Sequence, residues 1–244
     1  MGWTIGRRVA VLLFGTAAAI APVAASAVPA KIIVLRHGEK QRGFDLCGVG
    51  IIRAQGLAQH QLGRGTPDSL FAPGEAPAAF FAVTPHTIEL AAPAANAWRL
   101  PVTTYAAMPW PQLPAPALNR LLNRQTQAAA RDILENPNWA GKTVVMVWEH
   151  DHIANAEVEA AARDERVTLR QLLNLDLLPD AERQVPRTWP DNTYNYFWLI
   201  EYDPGSDVPR RFRSVKQVFT GSYADLPDND WGMPDGLRPI SGCL

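Results

Sequence analysis

The segment TVVMVW, residues 143–148, constrains this chain more than any other. It is apolar, rich in β-branched residues and uninterrupted, the signature of a buried strand. A second run of the same kind, Ile32–Leu35, lies in KIIVLRHGEKQRG (31–43). AAFFAV (78–83) and RLPVTTY (99–105) read as two further short strands. Between these runs the apolar residues recur at helical spacing. The spacing predicts helices over 48–62 (GVGIIRAQGLAQHQL), 89–98 and 118–135, and a mostly helical 153–173. Residues 63–77 are rich in Gly and Pro and read as a loop, and NPNWAGK (136–142) as a turn. MPWPQLPAPA (108–117) cannot be regular structure, because proline removes donors and fixes φ. TYNYFWLIEYD (193–203) and RFRSVKQVF (211–219) read as two late strands, antiparallel to each other. Strands alternating with helices predict an α/β three-layer sandwich, with a mostly parallel central sheet flanked by helices.

The first residues read as a leader rather than as fold. Arg7 and Arg8 are followed by the apolar stretch VAVLLFGTAAAIAPVA and by ASA at 25–27, an A-x-A cleavage pattern. Residues 1–27 are therefore expected to be a secretory signal peptide. Residues 28–244 are expected to form one domain with an irregular C-terminal tail. The expected location is the periplasm or outside the cell, without stable membrane insertion once the leader is removed. The 244 residues carry a net charge of −1, with 23 basic against 24 acidic side chains. No basic block stands out, which argues against a nucleic-acid partner. A local phosphate site needs only a few cations and stays open. Export would place Cys47 and Cys243 in an oxidising compartment. A bridge between them would close nearly the whole mature chain, worth roughly 5 kcal/mol at most in the chain-entropy model. Two unpaired thiols are the alternative.

In parallel sheets ligands sit beyond the carboxyl ends of the strands. Arg36–His37–Gly38 stands there after the first strand, and Glu149–His150–Asp151–His152 after the strongest one. Two histidine-bearing strand ends in one sheet can converge on one crevice.

These residues resemble the histidine phosphatase superfamily, the phosphoglycerate-mutase-like fold, and the chain is similar to a divergent, exported, bacterial-type member. VLRHGEK followed by GVGIIRAQGLAQHQL resembles the family's first strand, its Arg-His-Gly signature and a helix with a Gly-x-x-Arg-Ala pattern. GKTVVMVWEHDHI resembles the late strand that ends in the second catalytic histidine. The resemblance covers about residues 31–220 and implies a metal-independent phosphomonoester hydrolase with a phosphohistidine intermediate and no cofactor. It implies His37 as nucleophile and His150, rather than His152, as the group that stabilises the transferred phosphoryl. Arg36 would hold phosphate oxygens in pairs, and Gly38 would let the backbone approach the ligand, a phosphorylated small molecule.

Two departures from the family pattern stand out. The slot of its second phosphate-binding arginine holds His86, in VTPHTIEL; Arg53 and Arg99 are the arginines that could take over its role. No acid occurs from Leu90 to Arg131, where many members carry a glutamate proton donor. Asp151 is the expected substitute, because the acid-phosphatase branch has a His-Asp pair, with Glu39 and Glu149 as weaker candidates. His152 is then a rim residue or substrate contact, and His60 a packed or solvated side chain. Trp148 is expected in the core, and Trp189 in loop packing rather than the pocket wall. Two rival functions remain open. One is a catalytically weak or inactive phosphatase-fold binding protein. The other is a metal-dependent hydrolase built from His37, His86, His150, Asp151 and His152, which the adjacent Arg36 opposes.

Overall fold

The computed structural model describes residues 1–2, 27–41, 43–107, 113–233 and 243. Residues 3–26 of the expected leader, 108–112 of the proline run, and 234–242 and 244 of the C-terminal tail fall outside the described residues. The strands are β1 (Lys31–Arg36), β2 (Pro77–Ala82), β3 (Val102–Thr104), β4 (Thr143–Trp148), β5 (Tyr196–Tyr202) and β6 (Pro209–Lys216). They form one sheet in the order β3-β2-β4-β1-β5-β6. The first four strands of that order run parallel, and β5 and β6 add an antiparallel edge. The register places Lys31 opposite Thr143 and Arg36 opposite Trp148, so β1 and β4 end side by side.

The apolar runs are continuous because the sheet is covered on both faces. Ile33, Leu35, Phe80, Val145 and Val147 turn to one face, onto helices α1 (Gly48–His60) and α2 (Pro85–Ala97). Ile32, Val34, Phe81, Val144, Met146 and Trp148 turn to the other, under α3 (Ala115–Glu135) and the segments that follow β4. This is the three-layer α/β arrangement that the alternation of elements predicts. Trp148 is fully buried and donates its indole N–H to Thr126 at 3.0 Å, which satisfies its only polar atom.

α3 starts at Ala115 rather than at 118, so the end of the proline run is regular structure after all: Pro116 falls in the first turn, where a missing N–H breaks no helical bond. Two further helices differ from the sequence-based expectation, for reasons visible in their caps. α2 starts at Pro85 rather than at 89. Thr84 and Pro85 are an N-cap and first-turn pair, and the Thr87 hydroxyl accepts the N–H groups of Val83 and Thr84 at 2.9 and 2.8 Å. The predicted helix over 153–173 is instead α4 (His150–Ile153), α5 (Ala156–Ala161) and α6 (Leu169–Leu172). Asn155 restarts the chain by accepting from the N–H groups of Glu157 and Val158. Thr168 and Gln171 form a capping box that starts α6. A further short helix, α7 (Ala181–Gln184), leads to Trp189, which is buried against Trp198 and Trp231. No helix among the described residues is long and apolar enough to cross a membrane.

Cys47 and Cys243 are joined in a disulfide, with Cα atoms 5.3 Å apart. The bridge ties the end of the chain to the N-cap of α1, whose backbone N–H bonds the Glu39 carbonyl at 3.0 Å.

Candidate functional site

Three adjacent strands deliver three histidines to one place. β1 ends in Arg36–His37, β4 in Glu149–His150, and β2 in Thr84 and the first turn of α2, which carries His86. The His37 ring lies 4.7 Å from that of His86 and 5.3 Å from that of His150, centroid to centroid. The strand ends can meet because β4 lies between β1 and β2 in the sheet. His37 remains within the sheet's bonding pattern, donating its N–H to the Trp148 carbonyl at 3.0 Å.

The hydrogen bonds fix the state of the His37 ring. Nδ1 lies 2.7 Å from the Gly38 carbonyl oxygen, which can only accept, so Nδ1 carries the proton. Nε2 then bears a lone pair. It faces Nη2 of Arg36 at 3.2 Å and Nδ1 of His150 at 3.2 Å. His150 places its Nε2 2.9 Å from Oδ1 of Asp191, so that nitrogen donates and Nδ1 accepts from the same Arg36 Nη2 at 3.2 Å. One guanidinium nitrogen thus bridges two imidazole lone pairs.

Arg36 is fully buried and firmly held. Nη1 donates to the carbonyls of Pro190 and Asp191 at 2.9 and 2.8 Å, and more distantly to that of Thr193. The guanidinium lies 4.0 Å from the Tyr194 ring centroid, a cation–π contact. Nε is buried and has no hydrogen-bond partner among the described residues. Nε–H and one N–H of Nη2 share an edge of the guanidinium, the fork that binds two oxygens of a phosphate or carboxylate. A buried unpaired donor beside a weakly occupied one suits an anion.

Burial lowers the His37 pKa well below the ordinary histidine value, and the Arg36 charge pushes it the same way. The ring is therefore neutral and nucleophilic at neutral pH. Burial, and then Arg36, lower His150 to about 4, although Asp151 and Asp191 pull it upward. Burial alone would raise Glu149. The His37 and His86 imidazoles and the Thr84 hydroxyl outweigh that and hold its carboxyl well below the usual carboxylate range. Glu149 Oε1 lies 2.5 Å from His86 Nε2 and accepts from Thr84 at 2.6 Å. Its Oε2 stands 3.6 Å from His37 Nε2.

Arg36, His37, His86 and His150 come together, as the sequence predicts. Asp151 is displaced from that group. Its carboxylate accepts from Asn155 at 2.6 Å and reaches His150 only at 3.6 Å, on the outer side of the ring, while Glu149 occupies the inner side. His152 is not a rim residue: it is 1 % exposed, with Nε2 at 2.9 Å from Asn123 of α3. Neither candidate arginine fills the slot of His86. Arg53 is committed to a buried ion pair with Glu39, at 2.5 Å, and also donates to Gln217 and the Pro227 carbonyl. That pair also removes Glu39 as a proton donor. Arg99 follows the C-terminal end of α2, about 20 Å of helix from His86. Gly38 lies where the helices crowd β1. A Cβ there would stand 3.1 Å from Leu90 and 3.3 Å from the Gly50 backbone, so its bareness lets β1 seat against α1 and α2. His60 packs edge-on against Phe219 and Tyr223.

The Pro190–Tyr194 segment, which holds Arg36, carries no pattern that sequence reading recognises. A backbone carbonyl has no sequence code, and only the fold brings this turn over β1. Glu149 had one legible signal, its position at the end of the strongest strand.

Ligating atoms of His37, His86 and Glu149 lie within 4.8 Å of one another, as do those of His150, Asp151 and Asp191. The Arg36 guanidinium stands 3.2 Å from both His37 Nε2 and His150 Nδ1, and its charge opposes a divalent ion at either group.

No known protein-family profile matches the chain, and no curated protein matches its sequence. Among solved structures, one similar chain is SixA of Agrobacterium tumefaciens, named as a phosphohistidine phosphatase. It is 13 % identical with a TM-score of 0.39, over 76 % of this chain and 97 % of that one. A second, mycobacterial hydrolase 2, is 14 % identical with a TM-score of 0.36, over 87 % and 94 %. Likeness at that level assigns no activity, and the functional reading rests on the site.

Proposed function

We propose that this protein is an exported, metal-independent phosphomonoester hydrolase, a divergent member of the histidine phosphatase superfamily that works through a phosphohistidine at residue 37. The carrying observation is one arrangement: a neutral, tautomer-fixed His37 Nε2 beside a buried guanidinium whose Nε lacks a partner among the described residues. The Arg36 fork takes two phosphoryl oxygens and sets the phosphorus against Nε2. Nε2 attacks, the alcohol departs, and water then cleaves the phosphorus–nitrogen bond. The arriving anion draws Nη2 of Arg36 off both imidazole lone pairs, which frees His37 Nε2 for the attack and favours a proton on His150 Nδ1. His150 then donates to the phosphoryl oxygens as charge develops, with Asp191 supporting its other nitrogen. The disulfide supports an oxidising compartment, in keeping with an exported chain.

Brief incubation with a labelled aryl phosphate tests the reading. The expected result is acid-labile, alkali-stable label on His37, turnover blocked by vanadate, and no effect of EDTA. Loss of turnover with EDTA would turn the assignment to the metal-dependent alternative. Anion binding without a phosphoenzyme would turn it to a binding protein, the reading favoured by His86 standing where the resemblance expects an arginine.

A further inference from the structure

His86 and Glu149 form a unit that the steps above leave unused. His86 is buried, and both of its ring nitrogens face oxygens: Nδ1 the Phe44 carbonyl at 3.1 Å, Nε2 the Glu149 carboxylate at 2.5 Å. A carbonyl only accepts, and so does an ionised carboxylate. The unit is satisfied when His86 donates from both nitrogens and Glu149 is ionised. Thr84 donates to the same Oε1 at 2.6 Å. Oε1 is therefore doubly engaged, whereas Oε2 takes part in no hydrogen bond among the described residues. Oε2 stands 3.6 Å from His37 Nε2, on the side of the ring where a phosphoryl group must sit. The Glu149 side chain is 12 % exposed, so Oε2 is open to an arriving ligand.

An open carboxylate oxygen meets a fully ionised phosphoryl oxygen lone pair against lone pair, and accepts a hydrogen bond from one that carries a proton. We propose that this site takes its phosphoryl group in the protonated, monoanionic form, and that Glu149 is the specificity determinant, Oε2 accepting the P–O–H. The ligand class rests on the phosphatase reading. Glu149 touches the phosphoryl group; His86 is a positioning residue that keeps the carboxylate oriented.

The proton so admitted also supplies the acid that residues 90–131 lack. Nε2 of His37 bonds to phosphorus, the ester P–O bond breaks with its electron pair on oxygen, and that oxygen takes the P–O–H proton to leave as the alcohol. The phosphohistidine keeps its Nδ1 proton. Water then bonds to phosphorus, the P–N bond breaks with its pair returning to Nε2, and the product leaves as monoanionic phosphate. Atoms and charge balance with no outside acid or base.

Sulfate has the shape of phosphate but holds no proton at the pH of interest, so it is the probe. Calorimetric titrations of the whole protein with inorganic phosphate and with sulfate, at a pH of about 6, near the second ionisation of a phosphoryl group, should show phosphate binding about 10²-fold more tightly or better. Glu149→Gln, whose amide can donate, should shrink that ratio to a few-fold, chiefly by strengthening sulfate. Equal binding of the two anions by the native protein, or no binding of either, overturns the proposal and needs no variant. A ratio unchanged in Glu149→Gln also overturns it. The phosphoenzyme assay fails or succeeds separately. A protein that discriminates the anions yet never labels His37 loses the hydrolase reading and keeps the monoanion site. One that labels His37 without discriminating does the reverse.

Discussion

The two histidine-bearing strand ends sit side by side and are built on opposite plans. At the end of β1, Arg36 and His37 are buried and fixed by backbone: the Gly38 carbonyl on the ring, and the carbonyls of Pro190 and Asp191 on the guanidinium. At the end of β4, His150 is held from outside by the Asp191 carboxylate, whose side chain is 94 % exposed. Backbone contacts leave the β1 group one geometry and one tautomer. A solvent-facing carboxylate lets the β4 group gain or lose a proton as the ligand comes and goes. A nucleophile profits from the first arrangement and an adaptable donor from the second.

The comparison breaks first at His37. His37→Ala should lower turnover of an aryl phosphate by at least about 10³-fold and abolish the phosphoenzyme, with the circular dichroism spectrum unchanged. Retained label after this substitution would move the nucleophile elsewhere. Next comes acid. The folded pKa of His150 lies near 4 against an ordinary 6.5, so below pH 6.5 the unfolded chain takes up a proton that the folded chain refuses. Stability should therefore be flat above 6.5 and fall as pH drops toward 4, by roughly 3 kcal/mol from this group. Burial lowers His37 and His152 in the same direction and adds to the loss. Denaturant titrations at a series of pH values, with His150→Asn to remove its share, measure this; a flat profile would contradict the burial of these rings. His150→Asn should cost about 10²-fold in kcat, as expected for one lost transition-state donor, with the phosphoenzyme still detectable after a quench. The smallest effect belongs to Asp191→Asn. An exposed carboxylate is worth about 1 kcal/mol or less, so kcat should fall only several-fold. A loss as large as that of His150→Asn would make the outer contact as rigid as the inner one.

The sequence placed the strands well because their signal is local. Continuous apolar runs at 32–35 and 143–148 are buried on both faces, and no other arrangement hides them. It misjudged helix starts where a cap outweighed periodicity, at Thr84, Asn155 and Thr168. It brought His37 and His150 to one crevice, since each follows a strand whose end is predictable, and the resemblance added His86. It placed Asp151 rather than Glu149 beside the reacting group because adjacent residues at a strand end diverge in direction, and a string of letters does not say which of them turns inward.

By itself, then, the chain determined the alternation of strands and helices and the two strand-end signatures, and left the pairing of Cys47 with Cys243 to the fold. Alternation and signatures follow from hydrophobic patterning and residue chemistry within short windows. Tertiary structure decided the rest. It set β4 between β1 and β2, turned Glu149 rather than Asp151 toward His37, sent His152 behind α3 and folded the Pro190–Thr193 carbonyls onto Arg36. Those outcomes depend on sheet order and on contacts between residues 29 or more positions apart, along which no local propensity acts.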